Sequence, residues 1–372
     1  MSSSEQEGAS AAAKQLGRMS LGESGERKED NETKKNEDAA EENGTTPTKL
    51  QCSACGTKSD AVKKCRNCKC VWYCDKDCQN KHWKEHKKEC KVIKMVLDAR
   101  GGKLNVGTEL DIGPLEKLPP REECPICMHV LPIHAGLHVY ATCCGKTICG
   151  GCDLQHKIQN LKRVDRETTL IPETTLIPET CPFCRTPVPQ SDEEVLARTC
   201  RRVELKDPQA LRSMGLGYGI GHYGLPVDQT KCIELLRQAA GLDFPPAQFQ
   251  LSRYHCHGSM GLEQNQGEAM KYTEKAAEGG DLDARHNLGC AEKDNGDHVA
   301  AMCHWRLSAS GGLKRSIHAL IKCFHNGFLH HGDLAETLQV MYLARAEMKS
   351  EDRDLYIKHL KNTGEYEAEY EW

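Results

Sequence analysis

The sequence predicts a multi-domain chain: a disordered N-terminus, two small cysteine-built fingers, then an all-α helical-repeat solenoid. Three observations predict it. Residues 1–49 contain no Phe, Tyr, Trp, Val, Ile or Cys. Sixteen of the 22 cysteines fall in two clusters, eight within 52–90 and eight within 124–184. From about 195 onward the chain repeats itself with a period of 37 residues.

Composition sets the frame. A length of 372 residues suits two or three domains of roughly 150 residues. With 38% hydrophobic and 5% aromatic residues, the composition is thin for one large core, and disordered stretches or small domains held by something besides apolar burial are expected. The net charge of −4 speaks against a basic nucleic-acid binder, so nucleic acid is not an expected partner. No stretch is long and apolar enough for a membrane span. The first residues, MSSSEQEGASAAAKQ, lack the apolar run of a secretory signal. The cysteines are therefore expected as thiols in a reducing compartment, cytoplasmic and/or nuclear. So many idle thiols would invite oxidation, which makes metal binding the first hypothesis.

The elements follow in order. Residues 1–49 read as a disordered charged tail, because they cannot bury enough apolar area to offset ordering entropy. Residues 50–95 form the first finger. Residues 96–121 are a helix and linker: KVIKMVLDARGG (91–102) reads as a short helix ended by Gly101-Gly102, and the Gly- and Pro-rich stretch 107–121 as a linker. Residues 122–190 form the second finger, 195–350 the repeats, and 361–372 a frayed acidic tail.

In the first finger the ligand-like pairs are Cys52/Cys55, Cys65/Cys68, Cys74/Cys78 and His86/Cys90. Cys-x2-Cys pairs fit tight turns, and the Cys-x3-Cys and His-x3-Cys pairs fit one helical turn, where i and i+4 share a face. Eight ligands suffice for two closed tetrahedral zinc sites, a structural role, and zinc would supply the folding free energy. The string CSAC…KCRNC…VWYCDKDCQNKHWKEHKKEC resembles the MYND zinc finger. That resemblance implies interleaving, with Cys52, Cys55, Cys74 and Cys78 on one zinc and Cys65, Cys68, His86 and Cys90 on the other. It also implies docking of proline-containing peptides, with Tyr73, Gln79 and Trp83 at family positions. Trp83 is either core packing or a peptide contact. Cys70 reads as a bystander thiol, with an alternative-ligand role as the other reading, and His82 as a surface residue. The basic runs KKCRNCK and NKHWKEHKKECK read as a solvated face, or as an attraction for nucleic acid or an acidic partner.

In the second finger the pairs are Cys124/Cys127, Cys143/Cys144, Cys149/Cys152 and Cys181/Cys184. Three are plain CxxC knuckles, again enough with the fourth for two zinc ions and about four in the whole chain. The string CPIC…CCGKTICGGC…CPFCR resembles a RING finger of the all-cysteine kind. Lys146 stands where the usual histidine would be, and His156 is a candidate substitute ligand. The resemblance implies that Cys124, Cys127, Cys149 and Cys152 share one zinc and Cys143, Cys144, Cys181 and Cys184 the other. It further implies a ubiquitin ligase that holds a ubiquitin-conjugating enzyme. Ile126 falls where an apolar contact to that enzyme is expected, and Arg185 where an arginine bridges ubiquitin and its carrier. The bland readings are packing for Ile126 and a solvated charge for Arg185. No catalytic residue of the chain's own is expected: it carries no triad, P-loop or Rossmann fingerprint. The duplicated hexapeptide in ETTLIPETTLIPET reads as loop growth.

In the repeats, Ala210, Ala247 and Ala284 stand 37 apart, as do Gly221/Gly258 and Gly224/Gly261. A third copy, 284–312, has lost about five residues, and a partial fourth starts at Ser316. The pattern resembles Sel-one-like repeats (SLR), relatives of tetratricopeptide repeats, which implies stacked helix pairs with a protein partner on the concave surface. Cys200, Cys232, Cys256, Cys290, Cys303 and Cys323 are expected as small buried hydrophobes. The three modules together resemble multi-domain proteins of unicellular algae. The reading is a zinc-binding protein-interaction protein, as a RING-type ubiquitin ligase whose MYND and repeat domains choose the substrate; the alternative is a non-catalytic adaptor or transcriptional cofactor.

Overall fold

The computed structural model describes residues 51–59, 61–167 and 179–365, with backbone alone for 161–167. The charged N-terminal tail, the hexapeptide duplication of 167–178 beyond its first residue, and residues 366–372 lie outside the described residues. The rest is mainly helical.

The first finger begins with a small antiparallel pair, β1 (Lys63–Lys64) and β2 (Trp72–Tyr73). Helix α1 (Lys76–Ala99) follows, capped by Asp75 accepting from the Cys78 amide. It continues past Cys90, so the separate helix expected at 91–102 is the second half of α1. Nothing between Cys90 and Ala99 breaks a helix, and Ile93, Val96 and Leu97 extend the buried face that His86 and Cys90 begin. The chain turns at Gly101 and Gly102, both at positive φ.

Residues 107–121 are a strap rather than a free linker. The Leu110 amide donates to the Phe328 carbonyl, Thr108 Oγ1 donates to the Gly327 carbonyl, and Ile112 is buried. Arg306 Nη1 donates to the Gly113 carbonyl at 2.8 Å, and Arg121 reaches the Gly311 carbonyl. The second finger then places the antiparallel pair β3 (His138–Ala141) and β4 (Lys146–Cys149) before α2 (Gly150–Glu167).

The helical region starts with α3 (Asp192–Glu204). The first repeat is α4 (Pro208–Ile220) and α5 (Gln229–Gly241); the second is α6 (Pro245–His257) and α7 (Gln266–Glu278). The third is α8 (Leu282–Asp294) and α9 (His298–Ser310). The first two pairs are joined across C-capping glycines in the left-handed conformation, Gly221 and Gly258. In the third copy only 295–297 separate the helices, where 221–228 and 258–265 do so earlier, which accounts for the shortened period. Asp207, Asp228, Asn265, Asp281 and Asp297 each cap the following helix. Ala210, Ala247 and Ala284 are fully buried, as their 37-residue spacing requires of a shared packing position.

The partial fourth copy becomes α10 (Lys314–His325) and α11 (His331–Glu347), and one more helix, α12 (Glu351–Thr363), follows. One hydrophobic core runs from the first finger into α9, α10 and α11, joining Ile93 and Leu97 with Phe324, Leu334 and Met341. The expected burial of the scattered cysteines holds only for Cys232. Cys200 is exposed on α3, and Cys256, Cys290, Cys303 and Cys323 are partly exposed.

Candidate metal centres

Four loops in this chain adopt one hydrogen-bond pattern. In each, the amide of the residue after the second cysteine donates to the carbonyl of the first: Gly56 to Cys52, Lys69 to Cys65, Met128 to Cys124 and Arg185 to Cys181, all at 2.9 Å. All four residues have positive φ. Three of the four are not glycine, and each accepts about 1 kcal/mol of strain for that conformation. The turn aims both thiols of a CxxC pair to one side. In three of the loops it is closed by an antiparallel bridge: Gln51 with Lys58, Glu123 with Val130, Thr180 with Pro187.

Cys143 and Cys144 use the same turn shifted. The Gly145 amide donates to the Ala141 carbonyl at 2.8 Å, with Gly145 at φ 68°. Ala141 thus holds the backbone place of a first cysteine, and Cys143 supplies the thiol two residues later. Glycine relieves this turn twice over: φ 68° strains any other residue, and a Cβ there would push aside the Arg202 guanidinium, which is ion-paired with Asp207 at 2.7 Å.

These turns and the two helices gather the predicted ligands into four groups. They are Cys52, Cys55, Cys74, Cys78; Cys65, Cys68, His86, Cys90; Cys124, Cys127, Cys149, Cys152; and Cys143, Cys144, Cys181, Cys184. Within each, the ligand atoms lie within 4.8 Å of one another. Both fingers therefore interleave their pairs, first with third and second with fourth. Sulfur separations of 3.6 Å (Cys55–Cys74), 3.8 Å (Cys65–Cys90) and 3.9 Å (Cys124–Cys152, Cys127–Cys149) match the edge of about 3.8 Å that a tetrahedron with Zn–S bonds of ~2.3 Å would have. They are far too long for disulfides, whose S–S bond is about 2.05 Å. The donor sets, all-thiolate in three groups and three thiolates with one imidazole in the other, are those of closed structural zinc sites. The protein is zinc-binding, and four such sites suit about four ions.

Two of the outermost thiols share a further device. Thr57 Oγ1 lies 3.2 Å from Cys55 Sγ, and Thr186 Oγ1 lies 3.2 Å from Cys184 Sγ. The Thr57 hydroxyl and amide hold the Cys55 thiol down to about 6. At Cys184, burial pulls upward, and the Thr186 hydroxyl and amide more than offset it, again giving about 6. Both are poised to ligate as thiolates at neutral pH.

Around the first finger the surroundings correct two expectations. His82 is buried, not on the surface; Tyr73 Oη lies 2.9 Å from its Nδ1, and its ring meets Tyr342 edge-on at 4.3 Å. Burial pushes it down to about 4, so it is neutral, and it lies outside the ligand group. Cys70 is buried, with its Sγ 3.2 Å from His331 Nε2, and is also outside the group. Tyr73 is buried, Gln79 is half-buried on α1, and Trp83 packs partly against the core. In the second finger, Lys146 is exposed at the start of β4, and His156 reaches Thr180 Oγ1 at 3.2 Å instead of a thiol group.

Several contributors escape sequence reasoning. His331 Nε2 lies 2.9 Å from the Cys68 carbonyl, and Tyr342 Oη lies 3.3 Å from His86 Nδ1. Tyr342 thereby orients the imidazole of a candidate ligand from a helix more than 250 residues away. Glu89, also buried, lies 3.5 Å from His318. Burial alone would raise its carboxyl, and the His318 contact brings it below the usual range. The strongest case is Arg353 on α12, which is almost fully buried. It donates to the Val130 and Met348 carbonyls at 2.7 and 2.6 Å, and to the His129 carbonyl and Cys127 Sγ at 3.3 and 3.5 Å. A guanidinium suits that task because its planar donors span several acceptors and offset thiolate charge. No spacing rule announces it.

Comparison with known proteins matches the first finger and the repeats. The MYND finger family model matches residues 52–90, and the Sel1 repeat model matches 208–244 and 245–281. The chain thus carries a MYND finger and Sel1 repeats. Over 48 residues it is 46% identical to a SET and MYND domain-containing protein of Dictyostelium discoideum, covering 13% of this chain and 9% of that one. Over 48 residues it is 42% identical to a histone-lysine N-methyltransferase of Arabidopsis thaliana, covering 13% and 10%. The chain spans about a tenth of the length of these relatives. Among solved structures, a Sel1 repeat protein from Oxalobacter formigenes matches at 24% identity and TM-score 0.32, covering 35% of this chain and 98% of that one. A protective antigen of uropathogenic Escherichia coli with an SLR fold matches at 16% identity and TM-score 0.36, covering 57% and 46%. No described helix is long and apolar enough to cross a membrane.

Proposed function

We propose that the protein is a RING-type ubiquitin ligase. The second finger recruits a ubiquitin-loaded conjugating enzyme, and the MYND finger and repeats select the substrate. In this reading the sixteen residues of the four groups are zinc ligands, and the ions fix the knuckles as a rigid platform. The observation that carries it is apolar exposure on that platform. Ile126 inside the first knuckle is 40% exposed and Phe183 inside the last 43%, where rigid turns hold them without covering them. Arg185 follows the last cysteine, exposed and at φ 64°. In the reaction, an acceptor amine attacks the carboxyl thioester of ubiquitin and the carrier's cysteine thiolate leaves. The chain supplies no nucleophile; it positions the thioester. Work in the cytoplasm and/or nucleus fits its many thiols.

A second reading is a non-catalytic adaptor. It is favoured by Lys146 in place of a histidine and by the 3.2 Å contact of Arg185 Nη1 with His156 Nδ1, which occupies the arginine within the finger. Docking of proline-containing peptides on the MYND finger would then rest on Gln79 and the exposed edge of Trp83, since Tyr73 is buried. Autoubiquitination by the zinc-loaded protein with a panel of conjugating enzymes separates the two. The ligase reading expects activity that falls at least tenfold in Ile126→Ala and in Arg185→Ala, with zinc content unchanged. Activity indifferent to both substitutions, or none with any enzyme, sinks it.

A further inference from the structure

A cavity of about 1300 Å³ lies between the MYND helix α1, the repeat helices α6, α7 and α8, and the C-terminal helices α10, α11 and α12. We infer that this groove docks an acidic, extended segment of a partner protein. The inference rests on the protein-interaction reading above, not on ligase activity, and it names the chemistry of the partner.

Charge is the first argument. Among the described residues, eight lysines and arginines line the groove against four carboxylates, in a chain whose net charge is −4. Three of those carboxylates are engaged inside it: Glu85 with Lys349, Glu89 with His318 and Asp283 with Arg315. Lys84, Lys88 and Arg253 have no ion-pair partner among the described residues. Lys84 and Lys88 stand one turn apart on α1, and Arg253 comes from α6. Cations from two separate elements facing one concavity focus a positive potential that neither element creates alone.

The lining also tells peptide from nucleic acid. Phe249, Met270 and Ile357 give it an apolar component, and the buried hydroxyls of Ser252 and Thr273 are already paired with each other, Thr273 also donating to the Ala269 carbonyl. A peptide with carboxylates separated by apolar residues satisfies both kinds of surface. A phosphate chain carries charge at every step and would meet the groove's carboxylates with no flat aromatic platform for its bases beyond Phe249.

The test uses the full-length, zinc-loaded protein and fluorescence anisotropy. The probes are a labelled peptide alternating glutamate with tyrosine and leucine, the same peptide with glutamine for glutamate, and an oligothymidylate. The acidic peptide is expected to bind, to weaken with added salt, and to lose about tenfold in affinity on combined Lys84→Glu, Lys88→Glu and Arg253→Glu, the scale for reversing three exposed charge contacts. Lys293→Glu, outside the groove, should change nothing. Helical circular dichroism and zinc content report whether the triple variant folds; if it does not, Arg253→Ala alone should still cost about threefold. Equal binding of the glutamine peptide, unchanged binding in the folded variants, or tighter binding of the oligothymidylate overturns the inference. Peptide binding without ubiquitin transfer would refute the ligase reading and leave this one standing.

Discussion

Arg353→Ala should loosen the second finger without touching a single cysteine. The substitution removes a charged donor that satisfies the Val130, His129 and Met348 carbonyls and leans on Cys127 Sγ. Each charge-assisted hydrogen bond contributes about 1.5–3 kcal/mol, and stranding a buried acceptor costs about 1–3 kcal/mol. The terms overlap, and water can enter a loop edge, so a net loss of about 3 kcal/mol is the reasonable figure. At roughly 2–4 °C per kcal/mol, the melting temperature should fall by about 6–12 °C. The diagnostic readout is metal. Under a competing chelator, the second finger should release zinc faster than in the parent protein, while the first finger keeps its rate. Fragment mass spectrometry after partial chelation, with thiol labelling of whichever knuckles open, resolves the two fingers. Arg353→Met, which keeps the aliphatic bulk but not the donors, should behave like Arg353→Ala. If both variants melt with the parent and release zinc evenly from the two fingers, the guanidinium is not what anchors that knuckle.

Three further outcomes follow from particular contacts. Complete chelation should unfold both fingers and loosen α10 and α11, which share the core of the first finger, while α4–α8 keep their helical signal and amide protection; full loading should show about four zinc ions by native mass spectrometry. Gly289→Ala should cost about 1–3 kcal/mol in urea unfolding, because the new Cβ would meet Trp305 Nε1 at 2.6 Å and the Ala301 carbonyl at 3.0 Å. His286 is pushed by burial down to about 4, below an unfolded value near 6.5. Its contribution is therefore present above about pH 6.5 and is lost as pH falls towards 4; a His286→Gln variant should show a flatter stability profile across that window, measured against the parent.

Much of this architecture is written in spacing. The CxxC pairs specify knuckles because a turn of fixed size must bring two thiols together, and a 37-residue period marks equivalent packing positions along a stack. Both are local rules, visible in neighbouring residues. What stayed hidden is carried by contacts between residues hundreds of positions apart. His331 against Cys68, Tyr342 against His86, and Arg353 against Cys127 involve single polar side chains that leave no periodic trace. Helix α12 lies past the recognisable repeats and belongs to no period. The strap at 107–121 has linker composition, yet Leu110 and Ile112 are enough to lay it on the repeats. His82 misled because it sits four residues before His86 on a helix rich in lysine; the face it shares with His86 is the buried one.

The unbroken core between the first finger and α9–α11 bears on how such proteins can be taken apart. Zinc fingers are often treated as interchangeable cassettes, cut at the last ligand and moved between hosts. Here a cut after Cys90 would sever α1 in mid-helix, and a longer piece would present Ile93, Val96 and Leu97 to water. Transplanted by itself, this finger would arrive with an adhesive flank, and its former neighbour would keep the matching bare patch. Recombination that preserves the ligands but exchanges the helices behind them should give chains that bind metal and still clump.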